Sequence, residues 1–414
     1  MSIAAVAARP SRGRSGALAV VAWIVWAAVC AVFVAVIVRT LMLDLAPVAP
    51  IAVVRSMSAS GRTDDAVGEL RKILRRSPHD GQARMELARI LGSRKEYAEC
   101  ARELGAVPIW WPTKSEAAFL EGQTYKLLNR MREAEAAWLV CNRYDPFHPT
   151  PPKFESAANM ELLELYAYEE RWDDAHRVIW NAYDHADPID HPAILVMRIR
   201  TEMERITPES AAAKLRVWVD ADPADWEARL ALARVEQTLG RPDEADRLIG
   251  RCLEERPNDP RAHRVKLAIL YARGDLEAIT AALEKLPPGS DDDPEIWKFR
   301  ALASEKRGDW SSAVNSYLQA LRIRPNDAEL HYKLSVAEER VGNRDRAADH
   351  RRRNQELRKA RAELTDAYER YLDADKGRAG APDRAVAIRR LADICDRLGW
   401  DRVAEGWRRL AQAA

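Results

Sequence analysis

The usual handles of catalysis are missing from this sequence. It contains no G-x-x-x-x-G-K-[ST], no G-x-G-x-x-G, no H-E-x-x-H and no G-x-S-x-G, so nucleotide, zinc-hydrolase and serine-hydrolase chemistry lack their motifs. Cysteine is scarce, five in 414 residues, and no C-x-x-C pair occurs, which leaves no spaced thiols for a zinc ribbon. Charge of one sign is also missing: 65 Lys and Arg face 64 Asp and Glu, whereas a duplex nucleic-acid binder carries a strong positive excess. Glycine (18) and proline (22) are too few for a collagen-like or low-complexity chain, and 47% of residues are hydrophobic, which suits ordered protein. No alternating apolar and polar stretch of useful length announces a strand.

One long apolar run is present. Residues 17–38, ALAVVAWIVWAAVCAVFVAVIV, carry no charge, and as a helix they extend about 33 Å, enough for a bilayer core. A cleaved signal peptide would have a shorter apolar stretch and a small-x-small cleavage site before Pro50, and Val29 ahead of Cys30 does not suit lipidation, so an uncleaved anchor is expected. Arg9, Arg12 and Arg14 in the basic tail 1–16 outweigh Arg39, which shares the other flank with Asp44. The positive-inside rule then places the N-terminus in the cytoplasm and the bulk outside it. The Ala- and Arg-rich composition points to a GC-rich bacterial source, in which outside means the periplasm.

Beyond the anchor a period of 34 residues governs the chain. Gly240, Gly274, Gly308 and Gly342 keep it, as do Ala211, Ala245, Ala313 and Ala347 with Ile279 at the intervening step, and Pro223, Pro257 and Pro325 fall on the same grid. The unit 294–327 carries Trp297, Gly308, Trp310, Ala313, Tyr317, Ala320 and Pro325 at the positions of the tetratricopeptide pattern. The chain thus resembles the tetratricopeptide repeat (TPR) family over most of 47–414.

With that unit as ruler, three repeats span 47–148, a Pro-rich linker covers 149–155, and six repeats fill 156–361, the last degenerate with a long second helix. A truncated hairpin at 385–414 follows. The expected fold is all-α: a right-handed superhelical solenoid of helix-turn-helix units, elongated, behind one transmembrane helix. Small residues such as Gly122, Ala233 and Ala301 are needed where paired helices approach, the recurring glycines end first helices at positive φ, and the prolines stop second helices. In this register Cys100, Cys141, Cys252 and Cys395 are core positions rather than disulfide partners or metal ligands.

The resemblance implies a scaffold that binds a protein or peptide in a groove lined by first helices, with no enzymatic activity and no cofactor. The groove positions would be Phe119, Lys126, Met160, Tyr168, Arg200, Arg234, Arg264, Tyr271, Lys298, Lys306 and Tyr332. The chaperone-tail clamp of the family needs Asn and Lys, but the corresponding sites hold Gln123, Glu164, Arg200, Arg234, Ala268 and Leu302. Stacking would align Arg200 with Arg234, and Arg264 with Lys298, into a cationic stripe suited to acidic side chains. The competing expectation is that these cations pair with acidic neighbours.

Trp110 and Trp111, adjacent at a helix end, cannot both point inward, so one is a candidate exposed anchor. His185, His191, Asp184, Asp187 and Asp190 crowd the linker 184–191, where a metal-dependent enzyme would have to find its site; a turn with capping aspartates is the plainer reading. The basic cluster from Arg344 to Arg361 lacks aromatics to stack bases and reads as a solvated helix face, with no nucleic acid expected and no small-molecule substrate evident. A scaffold facing the cytoplasm stays open as the alternative topology.

Overall fold

The computed structural model describes residues 49–141, 152–203, 206–377 and 383–413, together with Trp26, Val29, Val32 and Phe33. These four are helical; the rest of the run 17–38 lies outside the described residues. No helix among the described residues is long and apolar enough to cross a membrane. The described residues are helical throughout, with no strand, and the chain divides between Trp111 and Pro112 into two units.

The first unit holds two hairpins: α1 (Ile51–Ala59) with α2 (Thr63–Arg76), and α3 (Gly81–Ser93) with α4 (Tyr97–Gly105). Apolar residues spaced three and four apart put Val54, Ala66, Leu70, Leu87, Leu91 and Leu104 into its core. Gly81 is there because Trp111 lies on it: a Cβ at that position would come less than 3.0 Å from the indole.

The second unit runs through α5 (Lys114–Leu127), α6 (Met131–Cys141), α7 (Pro152–Glu169), α8 (Trp172–His185), α9 (His191–Met203), α10 (Pro208–Ala221), α11 (Trp226–Thr238) and α12 (Pro242–Glu255). It continues with α13 (Pro260–Arg273), α14 (Leu276–Glu284), α15 (Pro294–Lys306), α16 (Trp310–Ile323), α17 (Ala328–Arg340), α18 (Arg344–Asp375), α19 (Arg384–Arg397) and α20 (Asp401–Ala413). Aspartate starts most first helices: Asp225, Asp259, Asp293 and Asp327, again 34 residues apart, each accept a backbone N–H of the first turn of the helix that follows. Each such cap stabilises its helix by about 1 kcal/mol. At the other end Gly240, Gly274, Gly308 and Gly342 sit at φ of 72°, 72°, 75° and 89°, where a Cβ is disfavoured. Cys100, Cys141, Cys252 and Cys395 are free and buried.

Two expectations need correction. The segment 149–155, read as a stiff linker, is partly helix, since α7 begins at Pro152; proline's fixed φ suits a first turn, where its missing N–H costs nothing. Residues 149–151 lie outside the described residues. The second unit, moreover, is not an open rod. The 32-residue α18 and the hairpin α19–α20 return to α9, and Leu195 and Ile199 of α9 share one buried cluster with Leu364, Tyr371, Ile388 and Trp407. Polar contacts close the same joint. The Arg361 guanidinium donates to the Glu202 carbonyl at 2.7 Å, Arg402 pairs with Asp184, and the Trp400 ring lies between the guanidinium groups of Arg198 (5.0 Å) and Arg361 (5.4 Å). Burial alone would push Glu202 up, but His176, Arg198 and Arg361 outweigh it and hold this carboxyl at about 2, so it is ionised within the joint.

Candidate functional site

The return of α18 bounds a cavity of about 800 Å³ in the second unit. Its floor is a stripe of α7, with Met160, Leu163 and Ala167 three and four apart, and of α9, with Ala193, Val196 and Arg200 spaced likewise; Tyr371 and Leu372 of α18 form the opposite wall. Met160, Tyr168 and Arg200, three of the expected groove residues, meet here. Met160 is 47% exposed at the edge, Tyr168 packs edge-on against Trp218 with ring centres 5.4 Å apart, and Arg200 is exposed. The charged groups on the wall are occupied. Glu164 takes a hydrogen bond from Lys126 at 2.8 Å, Arg384 donates to Asp375 at 2.9 Å, and Arg200 has a partner of its own.

The remaining groove candidates separate by environment. Arg234 is mostly buried: it donates to the Glu169 carbonyl at 2.6 Å and lies 2.9 Å from the Glu170 carboxylate. Burial pulls its pKa down, Glu170 partly restoring it. Arg264 donates to Asp293 at 3.0 Å, Lys298 pairs with Glu295 at 2.7 Å and approaches Glu329 at 3.6 Å, and Lys126 bridges Glu161 and Glu164. The cationic stripe is therefore corrected to the competing expectation. Stacking sets Lys126, Arg264 and Lys298 beside a carboxylate of the following repeat and Arg234 beside Glu170 of an earlier one, which consumes the charge an acidic ligand would need. Phe119 is half-buried against Phe154 with ring centres 6.0 Å apart, and Tyr271 lies 6.3 Å from Phe299. Tyr332 (54% exposed) and Lys306 remain open to solvent.

Of the tryptophan pair, Trp111 covers Gly81 while Trp110 is 58% exposed, 6.0 Å from the His79 ring and beside the exposed Ile109. The linker 184–191 does not gather a metal site. Asp184 faces Arg402, His185 bonds the Asn181 carbonyl at 2.8 Å, and His191 stacks on Tyr183 at 4.1 Å. Among the described residues no group of three His, Cys, Asp or Glu side chains has metal-holding geometry.

Sequence reasoning missed a buried polar cluster beneath the cavity floor. Arg171 binds Glu135 (2.7 Å), Glu169 (2.9 Å) and Asp174 (2.7 Å), and Tyr166 donates to Glu135 at 2.8 Å. One guanidinium cannot neutralise three carboxylates. Glu169, nearly inaccessible, bears the deficit: burial raises it to about 8, against the pull of Arg171 and with Asp225 adding repulsion. The same contacts hold Arg171 above its ordinary value despite its burial. The two directions agree physically, because the cation gains from every carboxylate while the most buried carboxylate has only a share of the cation. The available signal was Glu169 and Arg171 flanking a turn whose Glu170 takes φ of 49°.

Comparison with known proteins falls in with the repeats. Two models described as tetratricopeptide repeat match residues 55–108 and 207–269, and one described as TPR repeat matches 306–342, so such repeats occur in both units. The cellulose synthase 2 operon protein C of Komagataeibacter xylinus is 27% identical over 207 residues, a match covering 45% of this chain and 16% of that much longer protein. Among solved structures, a crystal structure of MamA is 18% identical with a TM-score of 0.32, covering 41% of this chain and 96% of MamA. MamA 41-end from Desulfovibrio magneticus RS-1 is 20% identical with a TM-score of 0.32, over 41% of this chain and 97% of that one.

Proposed function

We propose that this chain is a non-enzymatic, membrane-anchored TPR scaffold. One helix over 17–38 holds it, the N-terminus lies in the cytoplasm, and a right-handed superhelix of helix-turn-helix repeats is presented outside to protein partners. The observation that carries the reading is the spread of tetratricopeptide matches through both units, in a chain without a catalytic motif. The charge-free run supports the anchor, and so do Trp26, Val29, Val32 and Phe33, helical apolar residues each more than half exposed. Envelope assembly, secretion or maturation is the setting this topology suits. Partner contact falls to the exposed groove residues Lys306, Tyr332 and Met160, and to Trp110 in the first unit.

The test has two arms. A reporter active only outside the cytoplasm, fused after Ala414, should be active; if it is silent while a cytoplasmic reporter works there, the scaffold faces the cytoplasm. Affinity capture of the full chain should recover defined protein partners, and Tyr332→Ala with Lys306→Glu should reduce their recovery without changing the melting temperature. Full recovery by that variant and by Trp110→Ala would remove the assigned contact surfaces.

A further inference from the structure

A groove meant for a long peptide should be open at both ends and offer hydrogen-bonding groups along its length, because each amide brings a donor and an acceptor. The cavity between α7, α9 and α18 is built differently. Its walls come from residues far apart in sequence, those of α7 and α9 with Ile189 and Ile206 on one side and Tyr371, Leu372, Asp375 and Arg384 on the other, so the chain narrows its own groove into a half-enclosed socket. Leu163, Val196, Met197, Tyr371 and Leu372 make the surface largely apolar. Several polar side chains of the wall already have partners: Thr201 donates to the Arg198 carbonyl at 2.7 Å, Glu164 is bound to Lys126, and Asp375 to Arg384. An extended peptide here would leave its amides unsatisfied in an apolar site.

We propose that this socket receives one unbranched acyl chain. A hydrocarbon needs no hydrogen-bond partner and gains from every methylene taken out of water. A volume of about 800 Å³ is within the range of pockets that enclose small ligands. Met160 and Met197, unbranched and polarizable, adapt to a flexible chain. Met160 (47% exposed) and Ile189 (83% exposed) extend the apolar surface outward at the edge, where the polar end of an amphiphile would reach water. The acyl chain can belong to a free fatty acid or to a bilayer lipid. Occupancy of the socket does not depend on the scaffold reading, since it requires neither a protein partner nor a particular topology.

The test is photolabelling of the full-length chain with a diazirine-bearing palmitic acid in buffer, and separately with phosphatidylcholine vesicles whose acyl chain carries the diazirine. Adducts are mapped by peptide mass spectrometry. Labelling should fall on peptides of α7, α9 and the end of α18, and Ala167→Phe with Val196→Phe, which fills the socket, should lower it at least tenfold at an unchanged helical spectrum. Adducts from the fatty acid alone identify a free acid as the source, and adducts from both probes a lipid chain. Should the filled variant not fold, excess unlabelled palmitate must suppress labelling of the natural sequence. No adducts on those helices in either arm, labelling that filling or competition leaves intact, or suppression by an apolar peptide but not by palmitate overturns the proposal.

Discussion

The packing of α5 on α6 yields a prediction in which one substitution takes opposite signs at two sites. Gly122 and Gly250 are both interior helical glycines, and replacing either by alanine should gain up to about 1 kcal/mol from the smaller entropy loss on folding. Space decides the outcome. Around Gly250 nothing lies within 4 Å of the position a Cβ would take, so Gly250→Ala should realise that gain. At Gly122 the added Cβ would stand less than 3.0 Å from the indole of Trp138, which is wholly buried among Ala118, Ala134 and Leu162 and has no open direction in which to move. Overpacking of this kind costs about 1–3 kcal/mol, and a large rigid ring with no room lies toward the upper end, leaving a net loss of about 1–2 kcal/mol. The two variants should then differ by about 2–3 kcal/mol, several degrees in melting temperature. Thermal unfolding followed at 222 nm measures this on the full chain, and the fluorescence of Trp138 should shift only in Gly122→Ala. If Gly122→Ala melts at or above Gly250→Ala, the close approach of α5 to α6 through the indole is wrong.

Ala313→Glu should destabilise by about 3 kcal/mol or more, because Ala313 is wholly buried between α15 and α17 and the change adds both bulk and an unpaired charge; a surface-sized effect in denaturant unfolding would contradict that placement. Arg234→Met should cost about 2 kcal/mol by leaving the Glu169 carbonyl and Glu170 without their donor, read as a lower melting temperature rather than as lost binding alone. Trp400→Ala should cost about 3 kcal/mol and raise amide exchange in α9 around Leu195 and Ile199, since the ring between Arg198 and Arg361 ties the C-terminal hairpin to that helix; unchanged exchange there would mean the joint does not depend on it. Glu169 titrates near 8 when folded and near its ordinary value when unfolded, so the folded state binds the extra proton and stability should fall as pH rises from about 4.5 to 8. Glu169→Gln should flatten that part of the stability profile, and an unaltered slope would show that the carboxyl is ionised throughout.

Features that recur every 34 residues were legible because each is dictated within one hairpin. A first helix ending in a left-handed turn favours glycine, and Gly240, Gly274, Gly308 and Gly342 adopt it, though Lys95, Asn129 and Glu170 make the same turn after α3, α5 and α7. A close helix pair demands a small residue, and Gly122 under Trp138 meets that demand. The aspartate series Asp225, Asp259, Asp293 and Asp327 was equally visible and went unread, since an aspartate before a helix passes for ordinary surface charge until the helix start is known. Charge misled for a related reason. Arg264 and Lys298 look like a free stripe when one repeat is viewed alone, yet their partners Asp293 and Glu329 belong to the next.

Closure of the second unit was not legible, because a period describes how each repeat meets its neighbour and says nothing about residues 159 or 218 positions apart. Arg361 reads locally as a member of the basic, solvated face 344–361, and nothing near them in sequence singles out Arg402 or Trp400. Their roles appear only when the curvature accumulated through the intervening hairpins brings α18 and α20 back to α9. Two features in the sequence do anticipate something unusual there. A 32-residue helix far exceeds the two short helices a repeat needs, and its buried Ala360, Leu364, Ala367 and Tyr371 keep a three-and-four spacing well past the point where the repeat should have turned. An apolar stripe of that length must be covered. Here α9 and the terminal hairpin cover it, and the space left between that stripe's end and the floor of α7 and α9 is the cavity. The socket is thus a consequence of how this solenoid ends, and a chain cut back to its regular repeats would lose it.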